Sequence, residues 1–129
     1  MGAKQAFSIV NGVLVMVVGG VRDRADAICG YAQFREHLDR AATRRVLLDV
    51  RLATNAENPQ QLVMRAREFG AATPACQVAI FARALDGEFA RLYRRGLSET
   101  GHEVQVFADI KEAEAWLSAP AEADRLYLI

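Results

Sequence analysis

The sequence predicts an α/β fold: a mixed β-sheet of four or five strands, with an N-terminal antiparallel hairpin followed by parallel βαβαβα units and helices packed on the sheet. Three observations predict it. Asn11-Gly12 separates two β-prone runs, residues 6–10 and 13–18, which is the strongest short-range hairpin signal. Residues 46–51 and 76–82 are short apolar runs suited to buried parallel strands. Amphipathic stretches with helix-start signals alternate with these runs, so the order reads ββαβαβαβα, which implies right-handed crossovers.

Each element has its own justification. Gly19-Gly20 is expected to end the second strand. Asp23 or Asp26 can cap a first helix running to about residue 44, where Ile28, Tyr31, Phe34, Leu38 and Ala41 recur at helical spacing on one face. Gly30 inside that helix points to close packing, against a propensity cost of about 1 kcal/mol. After the strand at 46–51 comes a polar loop at 52–58. Asn58 then suits an N-cap, Pro59 the first helical position and Gln61 the N3 partner of a capping box. The helix that follows runs to about Gly70 and presents Leu62, Val63, Ala66 and Phe69. Thr73-Pro74 breaks the chain before the strand at 76–82. A third helix over residues 86–100 presents Phe89, Leu92, Tyr93, Gly96 and Leu97, and Gly101 stops it in the C′ position. Residues 103–107 form the last strand. Asp109 caps a fourth helix, with Glu112 expected at N3 of a second capping box and Ile110, Ala113, Trp116 and Leu117 facing inward. The tail, 119–129, begins polar and finishes Leu126-Tyr127-Leu128-Ile129, an apolar stretch expected to dock on its own domain or on a second subunit; a homodimer is one consequence.

Composition narrows the function classes. The 129 residues form a single domain, 52% apolar and 25% charged, which is a globular balance. The longest apolar run, 13–18, is too short to span a bilayer. The N-terminus lacks the apolar stretch of a signal peptide, and Ala6 stands where myristoylation needs a hydroxyl, so the expectation is a cytoplasmic protein with no stable membrane insertion. Sixteen basic and sixteen acidic side chains cancel, which argues against a nucleic-acid partner. Arg91, Arg94 and Arg95 read as a solvated helix face. Cys29 and Cys76, far apart and in apolar stretches, read as buried free thiols. His37 and His102 have no partner at zinc-site spacing, and the chain has no Gly-x-Ser-x-Gly, P-loop or GxGxxG. No metal, no cofactor and no catalytic residues are expected.

The segments VLLDVR, QVAIFA and VFADIKEAEAWL, in that order after a hairpin and a helix, resemble the SpoIIAA-like group of the STAS superfamily, the anti-sigma factor antagonists, and in particular its stand-alone bacterial members. The likeness covers residues 7–117. It implies a SpoIIAA-like (STAS-like) domain and a signalling role exerted through protein–protein interaction. In the antagonists a phosphorylatable serine opens the helix after the VLLDVR-like strand, usually within Asp-Ser-Ser-Gly. Here that region reads Thr54-Asn55-Ala56-Glu57-Asn58-Pro59. The switch serine is absent, and Thr54 is the nearest hydroxyl.

In open α/β sheets ligands and partners sit outside the carboxyl ends of the strands. The candidate binding residues are therefore Asp49, Arg51, Thr54, Asn55 and Asn58 around one strand end and Arg83 and Asp86 beyond the next. Asp49, within an apolar strand, needs either a ligand or a satisfying partner such as Arg51. Thr54, Asn55, Glu57 and Asn58 are also turn and cap formers. Arg51 and Arg83, on neighbouring strand ends, could together receive a carboxylate or phosphate. The leading expectation is a non-enzymatic regulatory or protein-interaction module. A carrier of a lipid or other small apolar ligand, held between helices and sheet, is the alternative, and an enzyme is third.

Overall fold

A computed structural model describes residues 5–118, and their elements follow the expected order. Strands β1 (Gln5–Val10) and β2 (Val13–Arg22) form the hairpin. Helix α1 (Arg24–Ala41), β3 (Arg45–Asn55), α2 (Pro59–Ala71), β4 (Gln77–Phe81), α3 (Glu88–Glu99), β5 (Glu103–Phe107) and α4 (Ile110–Ser118) follow. The five strands lie in sequence order across the sheet. The β1–β2 pair is antiparallel and the other three pairs are parallel.

The hairpin turns at Asn11 and Gly12, both at positive φ, the conformation that makes Asn-Gly the preferred pair there. Asp23 and Asp26 close a reciprocal capping box at the start of α1, each side chain accepting a backbone N–H at 3.0 Å. Asn58 and Gln61 do the same for α2, with Pro59 in the first turn. One face of the sheet carries the main core. Leu14, Met16 and Val18 of β2 and Val46, Leu48 and Val50 of β3 meet Phe34 and Leu38 of α1, Val63 and Phe69 of α2, and Leu92 and Leu97 of α3. The other face carries a smaller cluster, in which Leu47, Ala79, Phe81 and Phe107 pack under Ala113 and Leu117 of α4.

Several boundaries differ from the sequence expectation. Gly19-Gly20 does not end β2. The strand continues to Arg22, and the 52–55 stretch expected as loop is strand as well, pairing Gly19 with Leu52, Gly20 with Ala53, Val21 with Thr54 and Arg22 with Asn55. Between the pairs Val17–Asp49 and Gly19–Leu52, β3 holds one residue more than β2, a bulge that re-aims its last four side chains. Helix α1 stops at Ala41, because Ala42 turns left-handed at φ 51° and the Thr43 hydroxyl then ties the chain to the Gly12 carbonyl and the Arg45 N–H. Ile28 departs from the expected apolar face and is 52% exposed. Helix α3 begins at Glu88, two residues later than expected. Asp109 caps α4 through the Lys111 N–H at 2.8 Å, and Glu112 closes no second capping box. Cys76 is buried as expected, whereas Cys29 is exposed. The 119–129 tail lies outside the described residues.

Candidate functional site at the carboxyl end of the sheet

The carboxyl ends of β2 and β3 outrun β4, whose last pair is Asp49 with Phe81. The result is a two-stranded ribbon projecting past the body of the sheet. Its geometry is built from three local arrangements.

The first is at Asp49 and Arg51. Residues i and i+2 of a strand share a face, so the Arg51 guanidinium reaches back over Asp49. Nε and Nη2 donate to the two carboxylate oxygens at 3.0 and 2.8 Å, and the Arg51 backbone N–H adds a third bond at 3.1 Å. The same guanidinium lies 4.3 Å from the centre of the Phe81 ring. Asp49 is buried and Arg51 half-exposed. The Asp49 carboxylate, by hydrogen bonding first and charge second, raises the Arg51 pKa. Asp49 is thus a satisfied structural carboxylate, and Arg51 is a fixed cation at the rim.

The second arrangement is the ribbon itself. Leu52 is 62% exposed and Val21 is 57% exposed. The strand pairing makes them diagonal neighbours, with exposed Thr54 opposite Val21 and Gly19 opposite Leu52. A Cβ added at Gly19 would stand 3.6 Å from the Leu52 Cβ, so the two residues share a face.

The third is the turn into α2. Asn55 accepts the Glu57 N–H at 3.1 Å and donates to the carbonyls of Glu57 and Asn58. Asn58 is spent on the helix cap. These two are architectural residues. Arg83 and Asp86 are exposed on the segment after β4 and form no ion pair or hydrogen bond with the described residues. Arg51 is held by Asp49 and Phe81, while Arg83 is exposed on the segment after the neighbouring strand.

Behind the ribbon lies a polar cluster that the sequence reading missed. Arg65 of α2 is buried between Glu57, at 3.1 Å, and Glu68, at 2.9 Å, and these hydrogen bonds, Glu57 first, raise its pKa against the opposing effect of desolvation. The Tyr31 hydroxyl donates to the Arg65 carbonyl, and Tyr31 and Tyr93 line the same small cavity. Burial pushes both phenols well above their ordinary range. Arg22 is buried beside them and donates to the Gln5 side chain and the Asp26 carbonyl, each at 3.4 Å. A cavity among Arg22, Tyr31, Asn55, Phe69, Phe89 and Tyr93 has a volume of about 40 Å³. That is room for a water-sized molecule, far below the roughly 300 Å³ at which ligand pockets begin. Arg22 was within reach of sequence reasoning: the even-numbered residues Leu14, Met16 and Val18 face the core, and carrying that alternation past the two glycines places Arg22 inside. No such signal marks Arg65, whose partner Glu57 is set by the shape of the turn.

No protein-family model matches the chain, and no curated protein matches it. Among the described residues no group of three or more His, Cys, Asp and Glu side chains could hold a metal ion, and no helix is long and apolar enough to cross a membrane.

Proposed function

We propose that this domain is a non-enzymatic protein-interaction module that docks a partner on the β2–β3 ribbon. One observation carries the reading: Val21 and Leu52, two large apolar side chains, stand more than half exposed side by side, next to an arginine already fixed in place. An exposed apolar pair rimmed by a pre-ordered cation and a hydroxyl has the make-up of a docking surface, since little side-chain freedom is lost on binding. The VLLDVR, QVAIFA and VFADIKEAEAWL segments support a regulatory role of the STAS type, without the serine switch. Thr54, exposed on the same ribbon, is the hydroxyl available for modification. On the side of the sheet that carries the crossover helices, the 40 Å³ cavity has no room for a lipid.

The test is Leu52→Arg. This residue touches no core cluster, so the thermal midpoint should stay within a degree or two while partners captured by the wild-type chain are lost. Thr54→Arg should weaken the same captures. Undiminished capture by both variants removes the ribbon as the docking surface. Asn55→Arg, the change the sequence alone would suggest, is a poor probe because it breaks the turn held by Asn55 and Glu57.

A further inference from the structure

We propose that Leu126-Tyr127-Leu128-Ile129 fills an apolar groove between α4 and the β1–β2 hairpin, within the same chain. The groove lies on the sheet face opposite the three crossover helices and has a volume of about 530 Å³. Val13 and Val15 of β2, Leu47 of β3, Ala115 and Leu117 of α4 and Val10 of β1 supply its apolar lining, and the charged Arg45, Lys111 and Glu114 border it. Val13 and Val15 are only half-buried and Val10 is 52% exposed, so a row of valines lacks the cover that the same strand has on its other side.

The topology explains why this face is bare. A strand order that follows the sequence, joined by crossovers of one hand, puts every crossover helix on one side of the sheet. Helices α1, α2 and α3 all join the same core. Among the described elements α4 alone covers the second face, and residues 119–129 follow it directly in the sequence.

Attachment and reach select the occupant. Ser118, the last described residue, itself lines the groove, so the following chain starts at its mouth. Residues 119–125, Ala-Pro-Ala-Glu-Ala-Asp-Arg, form a mostly small and polar spacer that can span at most about 25 Å. The stretch from Val13 to Val15 is only about 7 Å long. The four apolar residues therefore reach the groove with slack, and the tether gives them a high effective concentration there. The groove is at the amino end of the parallel strands, away from the ribbon, so this proposal and the docking proposal stand or fall separately.

Methyl NOE spectroscopy on the full chain tests it. Expected are cross-peaks from the methyls of Leu126, Leu128 and Ile129 to those of Val13, Val15 and Leu117, present within one chain in a sample mixing differently labelled copies. Their absence overturns the proposal, and so does finding them only between copies, which would give the face to a second molecule. Leu128→Ser with Ile129→Ser should shift the Val13 and Val15 methyls, leave Leu97 on the opposite face unmoved and raise the fluorescence of an apolar surface dye. Unmoved valine methyls overturn it. Cross-peaks from non-protein protons to Val15, with a copurified mass of a few hundred daltons, would place a small apolar ligand in the groove instead and also overturn it.

Discussion

His102 joins three chain segments through one ring. Its Nδ1 accepts the Cys76 N–H at 3.1 Å and its Nε2–H donates to the Gly70 carbonyl at 2.8 Å, so the end of α2, the entrance to β4 and the start of β5 share one buried side chain. In His102→Ala the Cys76 N–H would lose its partner, whereas the Gly70 carbonyl keeps the Thr73 N–H at 3.3 Å, and one orphaned buried group costs about 1–3 kcal/mol. The expected loss is about 2 kcal/mol in urea unfolding, and His102→Phe, which keeps the ring volume, should recover little of the part due to the unpaired Cys76 N–H. A loss below 1 kcal/mol would mean that water replaces the ring. The sequence shows His102 only as a turn residue after Gly101, because its partners lie 26 and 32 residues away. Asp49 was more legible: a lone carboxylate in an apolar strand with an arginine two residues on has a local solution, and Arg51 provides it. His37, which showed no partner in the sequence, stacks on Phe7 with 4.3 Å between ring centres.

At the scale of elements, α2 and α3 are drawn unusually close. A Cβ on Gly96 would sit 2.4 Å from the Ala66 Cβ and 2.7 Å from the Val63 carbonyl, so the helices meet backbone to side chain. Gly96→Ala should cost about 1–3 kcal/mol by forcing them apart. Adding Ala66→Gly should recover only part, since the Val63 carbonyl does not move with the side chain; full recovery in the double variant would show the backbone contact to be soft. Glu99 bridges the same pair, bonding Arg67 of α2 and Arg95 of its own helix, and those two guanidinium groups lower its pKa. With the folded value below the unfolded one, its contribution is complete above the ordinary glutamate pKa and is lost as pH falls through the depressed value. An NMR titration should show the Glu99 midpoint rising in Arg67→Gln. Helices, caps and the Gly96 position on a packed face were readable from spacing and start signals, because those are set within a few residues. The reach of β2 and β3 was not. Gly19-Gly20 is a stop signal taken alone, and the pairing of Gly19 and Gly20 with Leu52 and Ala53 overrides it.

For the whole molecule, the one-sided placement of α1–α3 divides the core unequally. No reading of single elements could reveal this, since it follows from strand order, which the sequence left open beyond the hairpin. The main core is closed by three helices, whereas the second cluster depends on the nine residues of α4. Leu97 and Leu117 are matched probes, 0% and 1% exposed, one on each side. Truncating a buried leucine costs about 2–5 kcal/mol, more where the surroundings cannot collapse. Leu97 is wedged under a helix pinned by Gly96 and Glu99 and should fall near the upper end. Leu117 lies in the last turn of the nine-residue α4, which packs on the smaller cluster alone and can settle toward the sheet, and should fall near the lower end. The two variants should also differ in kind. Leu97→Ala lowers the stability of the whole domain, so hydrogen exchange accelerates together in β3, α2 and α3. Leu117→Ala releases α4 as a local unit, accelerating exchange over Ile110–Ser118 with little change in α2 and α3. If Leu117→Ala instead accelerates exchange everywhere to the same degree as Leu97→Ala, the two faces form one cooperative core, and the smaller cluster is as central to folding as the larger.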